Sequence, residues 1–255
     1  MYFNNIQILN YVIIGIIGLI VGKFTCWCNI RIPEKKKIFS KDFFEANKEG
    51  MPVNYLFMIV TSLVYIALLY KLGFDKEHLA KNLDLIRFLL LVPMLLLTFS
   101  IDIKHRIIPN RLNLTIFETG LVLSFVYGVT NVNMAKDYIL GMFTGVIIFV
   151  AITILGWIAS GKESMGLGDI KFMGAIGLFY GMSGIAEVSV LAFVLAAIIC
   201  VFVIIIRLIL KKKDEYVPFG PFLATSALIC MFIPAGCVFN AFLEFCKMLS
   251  QTILG

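Results

Sequence analysis

Long apolar segments alternate with short polar ones along the whole chain. They run over 9–27, 54–72, 84–101, 111–130, 138–159, 169–184, 187–210 and 219–248. Most lack the polar stripe that a helix keeps when one side faces water, and a helix that crosses a bilayer needs about 20 such residues. The pattern predicts an all-α membrane protein: a polytopic bundle of about eight transmembrane helices forming a single integral-membrane domain over residues 1–255. The fourth and sixth segments are the least regular, since they carry Glu118 and Asp169 together with several glycines. No repeat with a period of 20–50 residues is evident. The longest polar stretch, residues 31–54, is too short for a domain of its own and reads as a short basic loop within the larger one.

Composition agrees with the pattern. Of 255 residues, 60% are hydrophobic and 15% charged, against about 25% charged in soluble domains. Charge then orients the bundle. The first, third, fifth and seventh loops hold fifteen Lys and Arg, six of them in residues 31–54; the even loops and the two tails hold Lys71, Lys76, Lys81, Lys136 and Lys247. Basic loops stay in the cytoplasm, so the N-terminus is expected outside. The net charge of +6 is therefore a topology signal with added attraction to the anionic lipid bilayer. A nucleic-acid partner is not expected, because no basic face with interleaved aromatics stands clear of the membrane. Residues 1–8 hold no Lys or Arg, and no small-x-small site follows the first segment, so it does not read as a cleaved signal peptide.

The cysteines suggest no framework. Cys200, Cys230, Cys237 and Cys246 fall inside predicted spans as small apolar fillers. Cys26 and Cys28 form a C-x-C with no second pair and no nearby histidine, so no metal site is expected there. His78 and His105 each stand alone in a loop.

Charges at membrane depth are costly, about 2.5 to 3.5 kcal/mol even on the lenient insertion scale, and are usually functional. The acids that touch the spans are Asp102, Glu118, Asp169, Glu187 and Glu244. Asp102 closes the third span and Asp169 opens the sixth, which places both at the cytoplasmic boundary; packing the third helix on the sixth would bring them within reach. Two facing carboxyls share one proton and titrate as a unit. One takes a proton from water as the water attacks a peptide carbonyl, and the other polarises that carbonyl and helps the amine to leave. No G-x-S-x-G, no H-E-x-x-H and no Cys beside a His competes as a hydrolytic apparatus. Gly166 and Gly168, before Asp169, permit backbone angles closed to other residues and let an extended peptide approach. Gly174 and Gly177 have the spacing that lets membrane helices pack closely.

Four blocks, in order, carry a family resemblance. "GLGDIKFMGAIGLFYG", Gly166 to Gly181, resembles the G-x-G-D signature of bacterial prepilin peptidases, the membrane aspartic proteases of type IV pilus and type II secretion systems. "GKFTCWCNIRIP", Gly22 to Pro33, is similar to their G-S-F-L-N-V-V-I-Y-R-L-P block, keeping Gly22, Phe24, Arg31 and Pro33. "DIKHRIIPN", Asp102 to Asn110, resembles the D-x6-P-D block, and "VPFGPFLA", Val217 to Ala224, the P-F-G-P-x-L block. The resemblance implies an endopeptidase of the bacterial cytoplasmic (plasma) membrane that removes the leader of prepilins at the cytoplasmic face. Asp102 and Asp169 would be its catalytic pair, with Pro109, Gly166, Gly168, Lys171, Pro218, Gly220 and Pro221 forming its active-site loops. It implies prepilin as substrate, pilus or secretion assembly machinery as partner, no cofactor for proteolysis, and S-adenosylmethionine where the new N-terminus is also methylated. Two departures stand out. The family's first cytoplasmic loop carries two C-x-x-C pairs, whereas residues 34–53 contain no cysteine; no zinc is expected, and methylation is left open. Asn110 stands where an acid is common after the proline.

Two other readings remain at this stage. An ion-coupled transporter would relay protons through Glu118 and Asp169, with Glu118 paired inside the bundle, although no pairing of broken helices from inverted repeats is visible. A related protease would cut a different surface precursor. The charge pattern makes its own prediction: a cysteine placed at residue 41 should react with an impermeant maleimide only after the cell membrane is opened. Labelling in intact cells would reverse the expected orientation.

Overall fold

The structure, a computed structural model, describes residues 2–3, 6–38, 54–74, 79–161, 165–210 and 217–254. Residues 39–53, most of the expected basic loop, and His78 lie outside the described residues. Two dipeptide strands, β1 (Tyr2–Phe3) and β2 (Ile6–Gln7), pair antiparallel and lead into the first helix. The rest is helical: α1 (Ile8–Arg31), α2 (Tyr55–Leu72), α3 (Leu79–His105), α4 (Asn110–Thr130), α5 (Val132–Ser160), α6 (Leu167–Leu210), α7 (Gly220–Cys230) and α8 (Cys237–Leu254). Among the described residues six helices, α1 to α6, are long and apolar enough to cross a membrane. The chain is an all-α multi-pass membrane protein. Its large apolar side chains divide accordingly. Leu91, Val92, Leu95, Ile101, Phe172 and Phe179 are fully buried, while Leu9, Ile147, Leu155 and Val129 face outward, where lipid is the solvent.

The sixth and seventh expected spans form one element, α6, broken at Gly181 (φ 72, ψ −178) rather than at 185–186. The contacts along α5 show what the break does. Gly141 lies against Gly177 and Gly181, whereas Gly145, one turn on, lies against Met173 and Ile185. Phe149, another turn on, stacks with Phe193 at 5.7 Å. One arm of α6 therefore runs antiparallel to α5 and the other parallel, so the chain reverses at Gly181. The positive φ favours glycine, and a Cβ there would also strike the Asp137 carboxylate, which accepts the Met182 N–H. Gly174 and Gly177 behave as expected: a Cβ at Gly177 would collide with the Gly141 backbone, and one at Gly174 would come within 2.7 Å of Val146.

The eighth expected span, 219–248, is not continuous. It divides into α7, 11 residues long and so about 16 Å, and α8, separated by residues 231–236. Pro234 cannot donate to a helical ladder, and Gly236 turns the chain at φ +86. On α8, Asn240, Glu244, Lys247 and Gln251 line up at helical spacing, opposite the exposed Phe242. Such an amphipathic helix suits a membrane surface better than its interior.

Pro93 sits in the middle of α3, where it cannot bond the carbonyl four residues back. That carbonyl belongs to Leu89, and the buried Tyr65 hydroxyl of α2 donates to it at 2.6 Å. A broken ladder inside a membrane protein is tolerated where a neighbour re-satisfies it. Tyr65→Phe should therefore cost about 1 kcal/mol in thermal unfolding in detergent. The cost should vanish in the background Pro93→Ala, whose N–H can take over the carbonyl; an unchanged cost in that double variant would remove the compensation.

Candidate active site

At one end of the bundle a cavity of about 640 Å³ is lined by both Asp102 and Asp169. The two carboxyls come from opposite helix ends. Asp169 is in the first turn of α6, with its N–H donating to the Gly166 carbonyl at 3.0 Å; an acid in the first turn is favoured by the helix dipole. Asp102 is in the last turn of α3, where that dipole is unfavourable. Its compensation comes from another element. The Gly220 N–H, at the start of α7, donates to Asp102 Oδ2 at 2.9 Å, so the carboxyl rests on a helix N-terminus after all. Both acids are nearly inaccessible, at 4% and 8% exposure, and the charge of Asp102 is felt at Asp169.

The expected direct packing of the third helix on the sixth is not how they meet. α3 and α6 share no extended contact; α4 packs on α6, and α7 packs on both α3 and α6. The short linker after α3 does the rest. Arg106 takes a left-handed φ of 55 and its N–H closes onto the Asp102 carbonyl at 2.8 Å. The chain then turns through Ile107, Ile108 and Pro109 into α4 along the cavity wall. Asn113 of α4, almost fully buried, donates through Nδ2 to the Gly168 carbonyl at 3.0 Å, which ties the start of α6 to the start of α4.

The remaining expected site residues are distributed as follows. Pro109, Gly166, Gly168, Lys171 and Pro218 line the cavity. Lys171 Nζ donates to Asn110 Oδ1 at 3.3 Å, so Asn110 uses an amide oxygen where the family often has an acid. Gly220 touches the site through Asp102 rather than through the cavity. Pro221 does not line the cavity; it sits at the start of α7 and faces a separate groove. Gly166 and Gly168 do not use angles closed to other residues, since neither has a positive φ among the described glycines. Gly168 instead lies flat beside Ile108, which a Cβ would meet at an ordinary 3.5 Å.

Several lining residues carried no sequence signal of their own. Lys35, Arg106 and Arg111 join Lys171 in giving the wall four cations beside two acids. Arg111 Nη1 donates to the Lys35 carbonyl at 2.9 Å. Trp27 Nε1 donates to the Ile38 carbonyl at 3.1 Å, and Arg31 lies 4.2 Å over the Trp27 ring. These contacts hold residues 32–38 against the cavity mouth, which accounts for Arg31 and Pro33 in the first block. Glu118 is not inside the bundle. It lies on the exposed stripe of α4 with Leu114, Val122 and Phe125 and does not reach the cavity, so a Glu118–Asp169 relay has no path here. Glu187 is buried far from the cavity and accepts the Gly236 N–H, while Glu244 is exposed on α8. Cys26 and Cys28 are buried thiols, Cys26 Sγ lying 3.4 Å from the Asn54 carbonyl oxygen. No group of three or more His, Cys, Asp or Glu that could hold a metal occurs among the described residues.

The type IV leader peptidase family matches residues 89–206, a stretch that contains both aspartates. "Prepilin leader peptidase/N-methyltransferase" of Xanthomonas campestris pv. campestris is 28% identical over 197 residues, covering 74% of this chain and 62% of that relative. The protein of the same name from Legionella pneumophila is 28% identical over 155 residues, 61% of this chain and 52% of its own length. "Leader peptidase HopD" of Escherichia coli is 30% identical over 136 residues, 52% of this chain and 83% of the relative. The chain thus spans between half and two thirds of the first two relatives. No solved structure matches it.

Two glycines of the site offer a paired test of this geometry. A Cβ at Gly220 would stand 2.6 Å from Asp102 Oδ2, whereas one at Gly168 meets nothing closer than 3.5 Å. Gly220→Ala should displace the Asp102 carboxyl and lower stability by about 1–3 kcal/mol, while Gly168→Ala should stay within about 0.5 kcal/mol of wild type. Thermal unfolding in detergent reads both, and equal effects would contradict the packing described.

Proposed function

The chain belongs to the type IV leader peptidase family, and on that premise we propose that it is a membrane-embedded aspartic endopeptidase that removes the leader of prepilins or pseudopilins. The observation that carries this reading is the pair of buried aspartates, one closing α3 and one opening α6, on the wall of a single cavity. Asp102 and Asp169 act together. A water between them loses a proton to one carboxylate as its oxygen attacks the scissile carbonyl; the other carboxyl, protonated, donates to the carbonyl oxygen. Collapse of the tetrahedral intermediate breaks the C–N bond, with the proton taken from water passing to the leaving amine. The hydrogen bond from Gly220 holds one oxygen of Asp102 and leaves the other for chemistry. A peptide must be extended to be cut, because in a helix its carbonyl is already bonded to the chain. The open backbone at Gly166 and Gly168 gives such a strand somewhere to lie, with Lys171, Pro109 and Pro218 shaping the walls.

The enzyme sits in the bacterial cytoplasmic membrane with this cavity at the cytoplasmic face and the N-terminus outside, as the loop charges favour. Its partners are the prepilin, the lipid bilayer and the pilus or secretion assembly machinery. The first two relatives' names add an N-methyltransferase, a chemistry that S-adenosylmethionine supplies. The described cavity does not fit that cofactor. Among the described residues its wall offers a sulfonium no acid beyond the two engaged in hydrolysis; no step is derived through it.

Asp102→Asn and Asp169→Asn should each lower leader cleavage of a co-expressed prepilin by about 10²-fold or more while the protein still inserts. Full processing by either variant on a gel would end the assignment. Mass spectrometry of the processed N-terminus should locate the cut at the leader boundary and read in the same spectrum whether the new amine carries a methyl group.

A further inference from the structure

The cavity with the two aspartates does not close on itself. Arg106 and Pro218 belong to its wall and also to the wall of a neighbouring groove of about 460 Å³. That groove is apolar. Phe99 and Ile103 of α3 form one bank, Leu195 and Ile199 of the second arm of α6 the other, and Pro221 and Phe222 of α7 the floor. It opens on the outside of the bundle, with Phe99 at 40%, Ile103 at 50% and Ile199 at 42% exposure. The cause is architectural: α3 and the second arm of α6 share no extended contact, and α7, only about 16 Å long, is wedged between them. Asp102 and Ile103 are consecutive residues on α3, one turned into the cavity and the other into the groove.

We propose that this groove is the docking site for an apolar, membrane-embedded helical segment of the substrate next to the scissile bond, whose chain leaves the groove past Arg106 and Pro218 and continues, extended, between Asp102 and Asp169. The inference rests on the peptidase reading and adds the surface by which the substrate is held. An apolar trough on the lipid-facing surface suits an apolar helix or an acyl chain, and only a polypeptide can also use the passage to the acids. The arrangement divides the work. Apolar contacts along the groove bind without regard to backbone chemistry, and the end of the helix unwinds where the walls turn polar. A second apolar groove, of about 450 Å³, lies on the other side of Phe99 and Ile103, lined by Val60, Leu96 and Leu228. It shares no lining residue with the aspartate cavity and provides the control.

The test fills each groove in the full-length enzyme in membranes: Ile199→Trp in the proposed site and Val60→Trp in the control. Two substrates are compared, a whole prepilin and a water-soluble peptide that spans its cleavage site but lacks the apolar helix. Ile199→Trp should raise KM for the whole prepilin by about tenfold and leave cleavage of the short peptide unchanged, with Val60→Trp like wild type on both. A photo-crosslinker at position 199 should capture the prepilin, and one at position 60 should not. Equal loss on both substrates, or no loss on either, would overturn the docking site; in the second case the groove holds lipid alone. Failure of the wild-type enzyme to cut either substrate would instead remove the peptidase reading, and the docking site with it.

Discussion

A single hydrogen bond, from the Gly220 N–H to the Asp102 carboxylate, organises the functional end of this molecule. An acid at the C-terminal end of a membrane helix faces the wrong end of the helix dipole and has little water to solvate it. The N-terminus of α7 supplies what α3 cannot. To deliver that N–H, α7 must begin against the last turn of α3, and position 220 must lack a Cβ, which would overlap the carboxyl. The same placement drives α7 between α3 and the second arm of α6. One polar contact therefore seats an acid, brings Pro218 and Phe219 to the cavity wall, and holds apart the helices whose separation forms the outer groove.

Elsewhere the bundle follows from the rule that backbone groups in lipid must be satisfied from within. Pro93 orphans the Leu89 carbonyl, and Tyr65 answers it. The reversal at Gly181 leaves the Met182 N–H outside the helical ladder, and Asp137 takes it up. Close approach does the rest of the holding: Gly141 meets Gly177 and Gly181 nearly backbone to backbone, so α5 locks both arms of α6. Tyr65 and Asp137 thus answer broken backbone, while Asp102 and Asp169 belong to the aspartate cavity. Glu118, on the outer face of α4, fits neither group.

Much of the architecture was legible along the chain because a bilayer demands length and hydrophobicity, which are properties of composition. The first five segments each correspond to one helix, α1 to α5, with ends that differ by up to six residues, as at Val132 against the expected 138. The errors share one cause, that polarity was weighed where geometry decided. The sixth boundary was set beside Glu187, yet Glu187 is buried and bonded to Gly236, while the chain turns at Gly181 because α5 crowds that point. The last segment looked continuous because its polar residues are spaced a helical turn apart and hardly lower its average. Gly166 and Gly168 take no left-handed angle, and a Cβ at either would meet Asp169 or Ile108 only at ordinary contact distance.

The sequence by itself determined that this is a helical membrane protein and which loops are basic, and it set Asp102 and Asp169 at one boundary because the first closes an apolar run and the second opens one. Only the tertiary structure decided how those acids reach one cavity, because α3 and α6 do not pack along their length and the connection runs through the Arg106 turn, Asn113 and Gly220. Side chains of Lys35 and Arg111 line the cavity for the same reason. Nothing in their local sequence sets them apart, and their position follows from how three separate connections converge at one end of the bundle.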